Sequence, residues 1–466
     1  MNPRVLFLVT SSLVAVTVAA ADAPPPPVEH PEFRAIVAAV DPAQLQATLT
    51  RLVGFGTRHT LSDVRSGTRG IGAARRWVQA RFEQISKDCG GCLQVITPSQ
   101  VFTGERMPKE GAEVMDVVAI QKGTSDPGRY VVMTAHLDSR ASDIMDATSD
   151  APGADDDGSG VAAVLESARV LSKYKFAASI VYSVDSGEEQ GLFGGKVIAQ
   201  YAEDHHWDVE ADLNDDIVGN SRGQDGVTDN TMVRVFSEGT RALETPKESA
   251  DRRYHGGEVD SPSRNVARYL KLLGEAYVPN WNVMLVYRTD RYGRGGDHTA
   301  FNALGYPAVR VTESHEDFTH QHQDVRTEHG VRYGDELSGV DFQYLAKVTA
   351  MNSIGLAAMA WAPAPPKGVA IASDPGKGLS GGTDTVVSWQ PTAGAAGYRI
   401  HWRATTEPQW SQSRYVGDVS RFTLIDISID DSFFGVASVS AQGFESPVEF
   451  PGPAGAFFPA PAAATR

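Results

Sequence analysis

The 466-residue sequence predicts an α/β chain: a mostly parallel sheet with helices on both faces, followed by a small all-β sandwich. Three observations lead there. From about residue 116, short continuous apolar runs alternate with amphipathic stretches, the pattern of strands buried on both faces and joined by helices. Residues with metal-ligand chemistry fall where those runs end, and open α/β sheets place their ligands at the carboxyl ends of strands. After about residue 362 the pattern shifts to short strands and turns.

Residues 1–20 read as a secretory signal peptide. Arg4 supplies the positive start, LFLVTSSLVAVTVAA the apolar stretch and Ala19–Ala23 the small residues of a cleavage site. A domain spanning 21–361 follows. It opens with a helical part at about 30–100, where AQLQATLTRLVGF and AARRWVQARFEQIS carry apolar residues at helical spacing. The only two cysteines, Cys89 and Cys92, lie in DCGGCL, and export predicts that they form a small-loop disulfide. A redox CxxC would follow a strand and open a helix, whereas this pair precedes the strand-like LQVITPSQVF.

Next come the strands VVAIQKG and GRYVVMTAH, then the helix GSGVAAVLESARVLS with Val161, Val164, Leu165, Ala168 and Leu171 on one face. ASIVYSVDS (strand), LFGGKVIAQYAED (helix), ADLNDDIVG (strand), SRNVARYLKLLGEAY (helix) and NVMLVYR (strand) continue the alternation. A short DHTAFNALG helix, the strand PAVRVTES and a helix from about Leu337 to Ala360 complete it. The stretch 219–262 is polar and Gly-rich and reads as an insertion, either a pocket rim or a solvated loop. APAPPKG at 362–368 reads as a linker, and residues 369–455 as the sandwich.

Composition narrows the function. Hydrophobic residues at 41% and charged residues at 21% describe a globular chain able to bury a large core. A formal charge of −16 argues against nucleic acid or an anionic membrane as partner. Beyond the leader, no run approaches the roughly 20 apolar residues of a membrane span, so the chain is not expected to be an integral membrane protein.

Five segments offer metal-type ligands: TAHLDS at 134–139, PGADDDGSG at 152–160, SVDSGEEQG at 183–191, NDDIVGN at 214–220 and FTHQHQD at 318–324. Spread over almost two hundred residues, they can meet only through a fold. Together they suit two divalent cations that share a carboxylate and activate a water, with one Glu of the Glu188–Glu189 pair ligating and the other taking a proton. Taken singly the segments are ambiguous. Asp155 and Asp157 flank Asp156, and an Asp cluster at a helix start is also a cap. Asp215 competes with Asp216, and His322 with His320. His205 and His206 read as surface residues.

The ordered set HLD, DDGSG, GEE, D(I/M)(V/I)G and HxxxD resembles the secreted zinc aminopeptidases of peptidase clan MH, the bacterial leucyl aminopeptidase type, from about residue 40 to 360. The resemblance implies a zinc exopeptidase-like fold and two zinc ions per chain. It implies His136, Asp156, Glu189, Asp216 and His320 as metal ligands, with Asp156 bridging. Glu188 is implied as the general base and Asp138 as the partner orienting His136. By the same resemblance, Asp297 and His298 in GRGGDHTAFNALGYPA line the cleft and the substrate pocket is apolar. Several relatives carry Tyr before the last His; Phe318–Thr319 here leaves the oxyanion donor unassigned. Trp389 and Tyr398 resemble the fibronectin type III pattern, over about 366–450. The implied activity is removal of N-terminal residues from peptides or proteins by an enzyme secreted or in the periplasm, with carboxypeptidase or dipeptidase action on the same centre as the alternative. Single-zinc glutaminyl cyclases share the fold with fewer ligands. A purely adhesive role rests on the C-terminal module alone, which is also a candidate for binding a surface or partner.

Overall fold

The computed structural model describes residues 26–372 and 383–452. The expected signal peptide lies outside the described residues. Eight strands form one sheet in the order Leu93–Ile96, Val117–Gln121, Ala178–Asp185, Asp126–His136, Asp208–Asp215, Ala308–Glu313, Met232–Ser237, Asn282–Val286. The four central strands are mutually parallel. Antiparallel pairings are confined to the margins.

Alternation along the central strands divides the core in two, because successive side chains of a strand point to opposite faces. Val131, Met133 and Ala135 face the larger cluster, with helices Pro42–Val53, Gly70–Asp88, Gly158–Leu171, Pro262–Tyr277 and Phe342–Trp361. Val132 and Val181 face the smaller, with Phe193–Asp204 and His298–Ala303. Phe342–Trp361 is buried at Tyr344 and Leu345 and without a break from Val348 to Ala360, as its largely apolar sequence requires. It begins five residues later than the sequence suggests, where Asp341 accepts from the main-chain N–H groups of Gln343 and Tyr344.

Two further expectations change. LQVITPSQVF is not one strand: Leu93–Ile96 joins the main sheet, and Ser99–Phe102 pairs with Ala112–Met115. Pro98 lies at the break and has no N–H for a ladder. The 219–262 insertion is neither simple rim nor loop. It contributes Met232–Ser237, a strand within the sheet, and the exposed helix Pro246–His255. Its polar flanks outweighed six residues of strand pattern. Cys89 and Cys92 are disulfide-bonded, between the helix Gly70–Asp88 and the strand Leu93–Ile96.

After the last helix come two three-stranded antiparallel sheets that share a core of Val387, Trp389, Tyr398, Ile400, Phe434 and Val436. The stretch Ala362–Gly368 is no free tether. Ala362 is buried, and its carbonyl accepts from the Arg129 guanidinium at 2.6 Å; that guanidinium also pairs with Glu210. Phe444 stacks on Trp361 and His30, with ring centroids 4.9 and 4.4 Å away. Asp260 is fully buried between Arg268 and Arg403, each at 2.7 Å. The sandwich therefore packs on the large domain through stacked rings and a buried ion triad.

Removing one member of such a cluster leaves uncompensated buried charge. Asp260→Ala is expected to lower unfolding free energy by about 3–5 kcal/mol. Urea unfolding of the full chain measures it, and a change under about 1 kcal/mol would show that the two arginines find other partners.

Candidate metal centre

Strand register assembles the site. His136 ends its strand opposite Asp185, the last residue of the neighbouring one. Beyond Asp185 the chain turns through Gly187 at φ 77°, a conformation that favours glycine, and presents Glu188 and Glu189 at the start of a short helix. Asp216 directly follows the strand Asp208–Asp215. Asp156 comes from the loop before the helix Gly158–Leu171, and its peptide bond to Asp157 is cis.

Two sets of three donors result, sharing one carboxylate: His136, Asp156 and Asp216, and Asp156, Glu189 and His322. Within each set the ligand atoms lie within 4.8 Å of one another. His136 Nε2 is 3.1 Å from Asp156 Oδ1 and 3.7 Å from Asp216 Oδ1. His322 Nε2 is 2.9 Å from Asp156 Oδ2 and 3.0 Å from Glu189 Oε1. Asp156 thus turns one oxygen to each imidazole.

The electrostatics call for positive charge. Burial lowers an imidazole's pKa, yet Glu189 and Asp156 outweigh it and hold His322 up at about 10. His136 is likewise raised well above its ordinary value, burial being overcome by Asp138, Asp156 and Asp216. Asp216 is held low despite burial, because Arg310 lies 2.9 Å away and His136 beside it. A cage of two imidazoles and three carboxylates that draws protons this strongly also has the donor chemistry for zinc.

His136, Asp156, Glu189 and Asp216 come together as the resemblance implies. His320 does not. Its Nδ1 is 3.8 Å from Asp317 Oδ2, outside both sets, and the residue two along, His322, takes the place. The turn Asp317–Gln321 explains the exchange. Thr319 N–H and O–H donate to Asp317 Oδ1, His320 N–H donates to the Asp317 carbonyl, and His322 adopts φ 57°. The HxxxD spacing misled because Asp324 is held instead by Ser142, which donates to it at 3.1 Å. With its hydroxyl given to Asp317, Thr319 supplies no oxyanion donor.

Asp138 lies against His136 as the resemblance implies, and does more. Its main-chain carbonyl accepts from His136 Nδ1 at 3.0 Å and its Oδ1 lies 3.6 Å from the same nitrogen, while its carboxylate also accepts from the N–H groups of Glu188 and Glu189 and from Thr60 Oγ1. Asp157 caps the following helix and accepts from His136 N–H, Asp155 accepts from Gly219 N–H, and Asp215 accepts from Asn352. Asp297 and His298 sit behind the cleft. Asp297 accepts from Gly195 N–H, burial pushing its carboxyl up to about 7, and His298 Nε2 donates to the Thr289 carbonyl. The cleft itself, about 380 Å³, is lined by Asp156, Glu188, Glu189, Asp216 and His322 below and by Arg106, Arg140, Arg291 and Arg294 around them.

Three supporting residues have no motif. Arg310 stands between Val309 and Val311 in the buried strand Ala308–Glu313; a charge flanked by apolar residues was the available signal. Buried Arg58 donates to the carbonyls of Leu137 and Gly153, tying the two ligand loops together, and its pKa is lowered to about 10 by burial, against the pull of nearby carboxylates. Asp335 accepts from the N–H groups of Asp155 and Asp156 at 2.8 and 2.7 Å.

Residues 116–329 match the model of peptidase family M28. A protein of Leptosphaeria maculans named a probable zinc metalloprotease is 41% identical over 430 residues, covering 92% of this chain and 98% of its own. One of Pyricularia oryzae with the same designation is 41% identical over 430 residues, covering 91% and 84%. The chain belongs to peptidase family M28. It is a zinc-dependent peptide hydrolase. Among solved structures, the LapA aminopeptidase of Legionella pneumophila superposes with TM-score 0.51 at 19% identity, over 73% of this chain and 78% of that one. LapB of the same organism gives 0.52 at 19% identity, over 72% and 77%. Both share the fold.

Two measurements follow for this M28 peptidase. His322→Ala is expected to weaken zinc binding by more than the roughly 10–100-fold that loss of even an outer-sphere partner costs. His320→Ala should leave zinc content within about twofold of the parent; elemental analysis giving the reverse order would restore His320. The second concerns pH. The pKa of His322 is raised from 6.5 to about 10, so its proton stabilises the metal-free fold fully below about 6.5, and that contribution is lost as pH rises through about 10. Zinc must displace that proton, so apparent affinity should climb by up to about tenfold per pH unit in that window. Titration calorimetry in buffers of differing ionisation enthalpy reads the released proton; no release at pH 8 contradicts it.

Proposed function

We propose that the chain is an exported two-zinc aminopeptidase. The observation that carries this reading is the double use of Asp156, one oxygen toward each of two complete donor sets. His136, Asp156 and Asp216 would hold one zinc, and Asp156, Glu189 and His322 the other. Zinc at these positions supplies Lewis acidity and lowers the pKa of a nearby water.

The remaining work falls to the chain. Glu188 lines the cleft beside the cage and carries no ligand role. Burial raises its pKa well above the usual range, His136 pulling it back and Asp216, Glu189 and Asp297 adding to the rise. A carboxylate so placed accepts a proton from the attacking water and returns it to the departing amine nitrogen. Asp138 fixes Glu188 in position by accepting its main-chain N–H at 3.2 Å. The leader at 1–20 and the Cys89–Cys92 disulfide support export. Carboxypeptidase or dipeptidase action uses the same cage, and the arginines around the cleft favour recognition of a carboxylate in some form.

Glu188→Gln keeps shape while losing basicity. It should lower kcat by about 10²–10⁴-fold with both zincs retained, whereas Glu189→Gln should lose zinc. If Glu188→Gln sheds metal and Glu189→Gln stays active, the two roles are exchanged. The terminus held is read from substrate: N-acetylation of a peptide should abolish turnover, and equal rates on blocked and free peptides transfer the assignment to carboxypeptidase.

A further inference from the structure

The cleft over the donor sets is not apolar. Among the described residues lining it, Leu192 is the only large aliphatic side chain, and four of the rest are arginines, in a chain with formal charge −16. One arginine is neutralised: Arg291 pairs with Glu316 at 2.9 Å and Asp290 at 3.4 Å. The other three are not. Arg106 donates to the Glu189 carbonyl at 3.2 Å, and Arg140 to the carbonyls of Ala141 and Ser142 at 3.1 and 3.0 Å. A carbonyl fixes a guanidinium without cancelling its charge. Arg294, on the loop after Gly293, forms no ion pair among the described residues.

The acids on the cleft floor do not account for these charges. Asp216 is answered by Arg310, and Asp156 and Glu189 by His136 and His322; that leaves Glu188, a single carboxylate, on the floor beneath three guanidinia. Cations in the cage would satisfy the floor further. Two anchored guanidinia and a third on a loop then face the space a substrate occupies, and their chemistry selects a carboxylate, which a guanidinium binds by two parallel hydrogen bonds.

We propose that the cleft selects peptides carrying a carboxylate on a residue flanking the scissile bond, held by Arg106, Arg140 and Arg294. The proposal rests on the peptidase reading and names its substrate class. It also replaces the apolar pocket implied by family resemblance. Three sources offer the same group: an acidic side chain before the scissile bond, one after it, and the terminal α-carboxylate of a dipeptide.

The zinc-loaded full-length enzyme is assayed on three pairs, each differing by one carboxylate. These are Glu- and Gln-p-nitroanilide, Leu-Glu-amide and Leu-Gln-amide, and Leu-Gln with a free or amidated C-terminus. At least one pair is expected to favour the anionic member by about 10–100-fold in kcat/KM, mainly through KM. That ratio should shrink as salt rises from about 0.05 to 0.5 M. The pair that responds locates the carboxylate. Arg140→Gln and Arg294→Gln should each narrow the ratio, and Arg140→Lys should restore part of it. Neutral members cleaved as well as anionic ones in all three pairs overturn the proposal and leave the peptidase reading standing. Failure to cleave any of the five substrates, Leu-Gln-amide serving in two pairs, overturns both.

Discussion

Crowding of negative charge around Asp156 is the constraint that organises the molecule. Asp138, Asp157, Asp216, Glu188 and Glu189 all gather at the ends of the parallel strands, where water is largely excluded. Carboxylates brought together in low dielectric repel strongly, so each must be answered locally. Arg310 answers Asp216. Main-chain N–H groups answer the others: those of Glu188 and Glu189 on Asp138, and those of His136 and Gly160 on Asp157. What remains lies on Glu188, which faces the cleft, and on Asp156 and Glu189, facing the two imidazoles, and the centre is built to take positive charge there.

Neighbouring acids divide the labour. Of three consecutive aspartates, Asp155 steadies Gly219, Asp156 faces both imidazoles and Asp157 caps a helix. Glu188 and Glu189 split likewise, one lining the cleft beside the cage and one within it. A turn sends successive side chains in different directions, so adjacency in sequence gives separate roles in space. Asp138 divides even within one residue, its carbonyl on His136 and its carboxylate on the next loop. Movement of either loop would therefore disturb ligand and base together.

The C-terminal sandwich belongs to the same mechanical unit. Asp260, from the insertion, clasps Arg403 of the sandwich and Arg268 of the helix Pro262–Tyr277. Tyr287, at the start of the loop carrying Arg291 and Arg294, donates to the Pro408 carbonyl at 3.0 Å. The rim of the cleft is thus braced from outside the large sheet, although no described residue of the sandwich belongs to the donor sets.

The sequence by itself determined the alternation of strands and helices, the strand ends bearing His136, Asp216 and the Glu pair, and the choice of Asp156 among its neighbours. These were legible because apolar periodicity and short motifs are local properties of the chain. Met232–Ser237 escaped because a short strand between polar flanks leaves little pattern, although the sheet buries Val233 and Val235–Ser237. His322 in place of His320 was settled by the turn at Asp317, where a hydroxyl and two N–H groups set the direction of each imidazole. Arg58, Arg310 and Asp335 bear on the site only through partners distant in sequence, and so do the arginines of the cleft. Only tertiary structure decided those, because which charges meet depends on distances across the fold, and spacing along a chain does not encode them.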